Sequence, residues 1–389
     1  MKGFFLTLKI SMLLFIFDVC TPKEQKDNKL TLKVELKDIG VSFYDLFEKI
    51  ELIPLELNEK TFIKQIENLH LINDTLYILD REVKSLILSD SNSGKHINTI
   101  MKVGQGPGEY THVYDAIIDS TLQEIKLLSP FNFINTYDLS GRFIKKDNLP
   151  FPDNSASAHF RNFDDSTYIF WVNSTPDLNI GNIVLVSKKT HQIINSFWRG
   201  QGLEDRFVVS PFWTYNDKTY FSISITNNVY QITSDGYYLA YKWDFGKYDI
   251  DKFRKKEIAK PIDLKNSSNR MMELIQQMMS SNNLYRFNSR HENNNYYYAQ
   301  IVFKNEKSLA PHIFYNKATG DSHYFFKTSE GLSFITYLFT DNYIIAELLT
   351  DQLGTLYSSN LLNETERAKL DIRNEEDNPI LVKIYFEKL

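Results

Sequence analysis

Short runs of alternating apolar and polar residues recur along most of this chain, with tight turns between them. Residues 49–57 alternate around Glu51, and the apolar run 76–79 follows the turn pair Asn73-Asp74. Alternation of this kind predicts half-buried β-strands, and Asn, Asp and Gly mark the turns between strands. The unit of strands and turns recurs about every 45 to 50 residues, a period typical of the blades of a β-propeller.

Grouping the runs by this period predicts an all-β protein with six four-stranded antiparallel blades. The strands predicted for the first four blades are 69–71, 76–79, 83–88 and 96–101; 115–118, 124–128, 133–138 and 142–146; 158–163, 167–172, 182–187 and 192–198; and 208–215, 218–223, 228–233 and 237–243. The runs assigned to the last two blades are 296–303, 311–315 and 322–326, and then 334–339 and 343–348.

The two ends of the folded region are both predicted to be strands. A propeller hides the edges of its first and last blades, because unpaired strand edges invite aggregation. We therefore expect residues 49–57 and 380–386 to lie in the same blade and to close the ring. The whole span 41–389 is then one domain, which we expect to be monomeric.

Two stretches have a helical period instead. Residues 251–283 form a predicted helical insertion after the fourth blade, in which one helix face is apolar. Its candidate partner surface consists of Met271, Ile275, Met278 and Met279. Methionine packs adaptably, so this face suits either a partner or the protein's own propeller face, and we favour the latter. A second short helix is predicted at 363–373 from its Asn-Glu-Thr-Glu start.

Composition supports strands and excludes one class of partner. The chain has 389 residues, including 28 Phe and 23 Tyr, and aromatic residues fit the half-buried surface of a sheet. Its net charge of −5 is spread over mixed acidic and basic residues, and no basic stripe is present. The sequence therefore predicts no nucleic-acid partner.

The N-terminal residues 1–20 have the features of a secretory signal. The basic residues Lys2 and Lys9 precede an apolar run at 10–17. That run is too short to cross a bilayer as a helix, and it suits the apolar region of a signal peptide. The protein is therefore expected in the cell envelope.

Cys20, the single cysteine, follows this run and precedes a predicted polar tether at 21–40. A cysteine so placed resembles a bacterial lipoprotein signal, in which the thiol takes a diacylglycerol that anchors the protein to a membrane. Such signals usually have small residues just before the cysteine, whereas this chain has Asp18 and Val19. The alternative is an ordinary secretory signal with an incidental cysteine, which would release the protein to the periplasm.

The most distinctive motif is a glycine-rich segment between the first two predicted blades. It consists of Gly104, Gln105, Gly106, Pro107, Gly108, Glu109 and Tyr110. A dinucleotide-binding loop would need a following helix, but residues 113–118 are predicted to be a strand, and a carboxylate in the loop would repel phosphate. We therefore interpret the segment as a tight inter-blade crossing in which glycine permits unusual backbone angles, in preference to ligand binding.

Four segments together carry a resemblance to a known family. They are VGQGPGEY at 103–110, YDLFEKIELIPLE at 44–56, YDLSGRFI at 137–144 and NPILV at 378–382. The chain resembles the six-bladed β-propeller lipoproteins common in Bacteroidetes over nearly the whole mature length. The resemblance implies the fold and an envelope location, but the family has no agreed reaction from which catalytic residues could be transferred.

The sequence offers no catalytic or metal-binding constellation. Its eight histidines are scattered, no zinc motif is present, and no Gly-x-Ser-x-Gly nucleophile elbow occurs. The four tryptophans and the run Tyr296-Tyr297-Tyr298 could stack on sugars or peptides, but core packing between blades is the interpretation we favour. No cofactor is predicted.

The sequence leads to three hypotheses about function. The first is a non-enzymatic binding or scaffold lipoprotein that holds an unknown ligand or protein at a propeller face. The second is a hydrolase or lactonase with a metal on the propeller axis, which would need several acidic or histidine side chains to converge there. The third is a structural partner of an outer-membrane complex, whose contact would be the methionine face.

Overall fold

A computed structural model gives the fold of this protein. It describes residues 30–387 except 174–179, 202, 205–206, 261–265, 282–283, 304–309, 350–351 and 372–376. Six sheets of antiparallel four-stranded blades form a ring, so the predicted six-bladed propeller is confirmed.

The chain begins with two strands that join later blades, and then builds the first three blades in order. The first two strands are β1 (Leu30–Lys33) and β2 (Phe47–Pro54). The next blades consist of β3 (Asn68–Ile72), β4 (Thr75–Asp80), β5 (Ser85–Asp90) and β6 (His96–Ile100); β7 (Asp115–Asp119), β8 (Glu124–Ser129), β9 (Phe133–Asp138) and β10 (Phe143–Asn148); and β11 (Ala156–Asn162), β12 (Thr167–Asn173), β13 (Ile183–Ser187) and β14 (Ile193–Phe197).

The remaining three blades contain the helical insertions. Their strands are β15 (Phe212–Tyr215), β16 (Lys218–Phe221), β17 (Asn228–Thr233) and β18 (Gly236–Asp244); β19 (Tyr285–Glu292), β20 (Tyr296–Phe303), β21 (His312–Asn316) and β22 (Ser322–Phe325); and β23 (Phe334–Phe339), β24 (Tyr343–Leu348) and β25 (Ile380–Phe386). The helices are α1 (Ile250–Phe253), α2 (Ser267–Ser280), α3 (Leu353–Ser358) and α4 (Glu364–Asp371), with a π-helical turn at Arg254–Ile258.

The ring closes as the sequence predicted. Strand β2 pairs antiparallel with β25, from Phe47 opposite Phe386 to Pro54 opposite Ile380. It forms the outermost strand of the sixth blade, so the start and the end of the propeller share one sheet. The edge of β2 is covered by α4: Glu366 Oε2 accepts a hydrogen bond from the Leu52 N–H at 2.5 Å, and Lys369 Nζ donates to the Leu52 carbonyl at 2.8 Å.

Two strands and the short helix α3 were not predicted from the sequence. Residues 30–33, expected within the polar tether at 21–40, form β1, which pairs parallel with β18 and adds a fifth strand to the fourth blade. The cause is the alternation of Leu30, Leu32 and Val34, which buries Leu32 fully in the core. Strand β19 is the inner strand of the fifth blade and was missing from the predicted set, because Arg286, Asn288 and their polar neighbours obscure its alternation.

The first strand of each blade lies innermost and lines the axial channel; β3, for example, contacts both β7 and β23. These inner strands all begin at the same end of the channel. Connections between blades, and between the second and third strands of a blade, leave at that end, which is termed the loop face. Both helical insertions belong to such connections. The opposite end, termed the turn face, has tight turns such as Asn73-Asp74 and Asn216-Asp217, all with positive φ.

Candidate functional site: the axial channel and the loop face

Polar side chains from the inner strands of the first three blades meet in the axial channel. Asn68 and His70 come from β3, Asp115 from β7, and His159 and Arg161 from β11. Asp115 is almost fully buried, whereas the His159 and Arg161 side chains keep 12% and 22% of their surface exposed. The group therefore lines the channel instead of filling a closed core.

Asp115 ties these three blades together. Its Oδ1 accepts hydrogen bonds from Asn68 Nδ2 at 2.7 Å and from the Ala116 N–H at 2.9 Å. Its Oδ2 accepts from the Phe160 N–H at 3.0 Å and from an Arg161 nitrogen at 2.6 Å. Both oxygens thus have two donors each, which accounts for the hydrogen-bonding capacity of a carboxylate.

The electrostatics of the cluster follow from this arrangement. Burial alone would raise the pKa of Asp115, but Arg161, His159 and the Phe160 N–H together hold the pKa well below its usual value. Burial, with the nearby Arg161 charge, lowers the pKa of His70 to about 4. At neutral pH Asp115 is therefore ionised and His70 is neutral. A carboxylate with so low a pKa and four donors is a poor general base.

A second polar group lies where the sixth blade meets the first two. Glu67 Oε1 accepts a hydrogen bond from Arg81 at 2.8 Å, and the guanidinium of Arg81 lies over the ring of Tyr114 at 4.0 Å. The Tyr337 hydroxyl donates to Glu347 Oε2 at 2.8 Å. Burial raises the pKa of Glu347, and the Tyr337 hydrogen bond offsets part of the shift. Glu67 and Tyr114 each stand just before an inner strand, at the loop-face end of the channel.

The buried acids of the described residues all have hydrogen-bond donors. They are Asp80, Asp115, Glu204, Glu292 and Glu366. Asp80 caps four backbone N–H groups, Glu204 accepts from the Gln201 N–H and Arg254, and Glu292 accepts from Lys317. In the same part of the chain, no group of three or more His, Cys, Asp or Glu side chains is placed to hold a metal ion.

The glycine-rich segment forms the connection from β6 to β7. Gly108 has φ of +74°, and a Cβ there would lie 2.5 Å from Cγ of Phe143. The Gly108 carbonyl accepts a hydrogen bond from the Tyr137 hydroxyl at 2.8 Å, and Glu109 Oε2 accepts from the Gly106 N–H at 2.8 Å. Gly104 and Gly106 lack positive φ and face the Glu109 side chain instead. At Gly108, the positive φ and the close approach of Phe143 both disfavour a larger residue.

The methionine face of α2 packs mainly on the protein itself. Leu274, which is not among the four residues predicted for that face, is fully buried, and Met278 is 8% exposed in the same core cluster. Met271 packs against that cluster, and the half-buried Ile275 lines a surface depression together with the exposed Met272. Met278 is therefore not available to a partner, because the helix turns the Met271, Leu274 and Met278 side of its surface inward. The side chain of Met279 lies outside the described residues.

Other predicted residues fall in the core or outside the described part. Trp171 and Trp243 are buried, and Trp198 and Trp213 pack against the same cluster, so core packing accounts for them. Cys20 and the signal region precede residue 30 and lie outside the described residues. Among the residues that are described, no helix is long and apolar enough to cross a membrane.

Sequence reasoning did not identify the Asp115 network, although a signal existed. Asn68 and Asp115 are 47 positions apart, and Asp115 and Arg161 are 46 apart. These spacings match the blade period, so polar residues one period apart would have marked the cluster. Asn68 and Asp115 are the first residues of β3 and β7, whereas Arg161 is the sixth residue of β11. Recognising the cluster requires knowing which strand of each blade lies innermost.

Comparison with known proteins gives a family and a fold. The family model described as "Domain of unknown function (DUF4934)" matches residues 31–385. No curated protein matches the chain. A solved structure from Bacteroides fragilis, described as an exported protein, is similar with a TM-score of 0.71 and 19% identity, over 92% of this chain and 99% of that one. A DUF4221 member from Bacteroides vulgatus has a TM-score of 0.52 and 16% identity, over 90% and 99%.

Proposed function

This chain belongs to the DUF4934 family of unknown function, and we propose that it is a non-enzymatic binding or scaffold protein of the cell envelope. In this proposal a lipid on Cys20 attaches it to a membrane, and an unknown ligand or protein partner binds at the loop face. The observation that carries the proposal is the use of Asp115. This almost fully buried carboxylate of the channel accepts hydrogen bonds from three blades, which supports a rigid platform more than a reaction centre.

The loop face has the surface that such a platform needs. Its connections present exposed apolar side chains, including Phe62 between β2 and β3 and Phe131 between β8 and β9. The ring of Phe131 contacts that of His112 in an edge-to-face geometry, with ring centroids 5.8 Å apart. Exposed aromatic residues beside polar ones are common at protein interfaces. The channel mouth adds Arg81, Glu67 and Glu347 as hydrogen-bonding groups.

Envelope location is supported by the signal-like N-terminus and by the structural relative described as exported. The short distance from Cys20 to Leu30 adds a geometric consequence. Ten residues span at most about 35 Å. Because β1 is fixed on β18, a lipid at Cys20 would hold the fourth blade within about that distance of the membrane. Cys20→Ser should then move the protein from the membrane fraction to the soluble fraction, and an unchanged distribution would count against the anchor.

The loop-face proposal can be tested by site-specific photo-crosslinking in intact cells. A photoreactive residue is placed at Phe62 or at Phe131, and a control is placed at Leu122, which is equally exposed on the turn face. We expect one discrete adduct from both loop-face positions and none from the control. No adduct at either loop-face position, or the same adduct from all three, would contradict the assignment.

A further inference from the structure

The outermost strand of the second blade, β10, differs from the other five outer strands. Five of its six residues are exposed, including Phe143 and Ile144. An outer strand presents a row of unpaired N–H and C=O groups, and folded proteins usually cover or protect such an edge. The hydrogen bonds at the other outer strands show what is unusual about β10.

At each of the other outer strands, or directly after it, at least one backbone group is hydrogen-bonded to another strand or to a side chain. Strand β18 is paired with β1, and β2 is bonded by Glu366 and Lys369 of α4. In β6 the Asn98 side chain accepts from the Thr99 N–H at 2.9 Å, and in β14 Asn195 accepts from the Ser196 N–H at 2.8 Å. The N–H of Phe326, which follows β22, donates to Asp38.

Strand β10 has free backbone donors at its edge. The Leu149 N–H donates at 2.8 Å to the carbonyl of Asn132, which directly precedes β9, so position 149 faces inward. In an antiparallel ladder the direction alternates, and the N–H groups of Asn148 and Lys146 therefore face outward. Within the described part of the chain, neither of these two groups donates a hydrogen bond to another residue.

A groove runs beside this edge and offers pockets for side chains. It has a volume of about 650 Å³ and lies between the glycine-rich connection and the outer strands of the second blade. A bulge in β10 after Phe143 places Phe143 and Lys146 on the same side as Phe133, facing the glycine-rich segment. Lys146 Nζ lies 3.7 Å from the centroid of the Phe133 ring. The edge and the groove together provide backbone pairing and side-chain contacts.

The charge of the edge selects the kind of partner. Between positions 142 and 148 the cations Arg142, Lys145 and Lys146 outnumber the single acid Asp147. Arg142 is paired with Asp138 of β9 and Lys145 with Asp147, so among the described residues Lys146 has no acidic partner. A second copy of β10 would bring these cations opposite one another, and like charges across a strand pair are destabilising. We propose that β10 is a strand-addition site for an extended acidic peptide of a partner protein. Strand β1 on β18 is an example, within this chain, of the same kind of addition to a blade edge.

The test uses a fluorescent nine-residue peptide in which valine and glutamate alternate, measured by fluorescence anisotropy with the full mature chain. We expect saturable binding that is stronger than for the valine-lysine analogue and lost when alternate peptide nitrogens are methylated. The double variant K145E/K146E should weaken binding by about tenfold, through loss and reversal of two exposed charges. Lys189→Glu, in the exposed turn of the third blade, reverses one charge away from this edge and should bind as wild type.

A second variant separates backbone pairing from charge. Lys146→Pro removes an outward N–H at an edge position where proline is tolerated in folded proteins. We expect an unchanged melting temperature and at least about tenfold weaker binding, a larger loss than for Lys146→Ala. Wild-type affinity in Lys146→Pro would overturn the proposal, as would equal affinity for the acidic and basic peptides. Dimerisation through this edge, or binding to phosphatidylglycerol vesicles that is insensitive to Lys146→Pro, would also overturn it.

Discussion

Asp115→Asn should destabilise the propeller strongly, although it replaces one planar group with another of the same size. The carboxylate has four donors, two on each oxygen. An asparagine has only one acceptor oxygen, so its amide nitrogen must face two of those donors. Either the Asn68 and Ala116 pair or the Phe160 and Arg161 pair then loses its acceptor. Arg161 also loses the opposite charge 2.6 Å away.

The cost can be estimated from the burial of the two partners. Removing one member of a buried ion pair costs about 3–5 kcal/mol. Arg161 keeps 22% of its side-chain surface, so water recovers part of its hydration, and the lower end of that range, about 3 kcal/mol, is expected. With about 2.1 cal/mol/K of unfolding entropy per residue over roughly 350 residues, this corresponds to a melting temperature lower by about 4 °C.

Differential scanning calorimetry of both proteins measures this difference, with Asp119→Asn as control. Asp119 lies at the other end of the same strand and accepts hydrogen bonds from the Thr121 and Leu122 N–H groups of its own turn. Its Oδ2 is also 3.9 Å from Lys126 Nζ, but Lys126 keeps a closer partner in Glu124 at 2.5 Å. The asparagine can still accept there, so its loss should stay below about 1 kcal/mol. Equal effects of the two substitutions would refute the reasoning, since they would show that the inter-blade network adds nothing.

The pH dependence of stability gives an independent check that ionised Asp115 stabilises the folded protein. The pKa of Asp115 is lower in the folded than in the unfolded protein. The stabilisation by the Asp115 carboxylate is therefore fully present above about pH 3.9, the pKa in the unfolded protein. It is lost as the pH falls through the pKa in the folded protein. The difference in melting temperature between wild type and Asp115→Asn should stay constant from about pH 8 to 5 and shrink below about pH 4.

Three further outcomes are expected. Gly108→Ala should lower the free energy of unfolding by about 2–4 kcal/mol, because φ is positive there and the new Cβ would clash with Phe143. Gly354→Ala in α3 has open space around it and should be neutral or stabilising. Equal denaturation midpoints for the two variants would contradict this. Leu274→Ala should cost about 3 kcal/mol and Met272→Ala less than about 0.5 kcal/mol; the reverse order in chemical denaturation would show that α2 packs otherwise. A chain that ends before residue 380 loses β25 from the middle of the closing blade and should not fold, so a native circular dichroism spectrum would be the contrary result.

Most blade strands could be predicted from the sequence because their pattern is local. The central strands of a blade are covered on both faces, so runs such as those in β4 and β12 are almost continuously buried, and their turns carry Asn, Asp or Gly. Ring closure by β2 and β25 was also predictable, since a strand with an apolar face must find a partner. These inferences use only apolar runs, alternation, turn residues and the need to cover edges.

The remaining features depend on which blade lies next to which. Strand β1 is four residues long, and its partner β18 begins more than 200 positions later, so nothing local indicates the pairing. The donors around Asp115 come from three blades, and their identity follows from the ring geometry. Leu274 was not predicted, because the face defined by the methionines of α2 is centred slightly away from it. Which face of the helix is buried depends on where the helix packs on the propeller.

The parallel pairing of β1 also has a mechanical consequence. A pulling force on the chain before Leu30 reaches β1 first, then the segment in which Val41 and Phe43 are buried, and only afterwards β2. Opening the ring would begin with the peeling of β2 from β25. The four-residue pairing of β1 and the docked Val41–Phe43 segment would therefore yield before the seam of the ring, so tension along the tether would lengthen it while the closed propeller stayed intact.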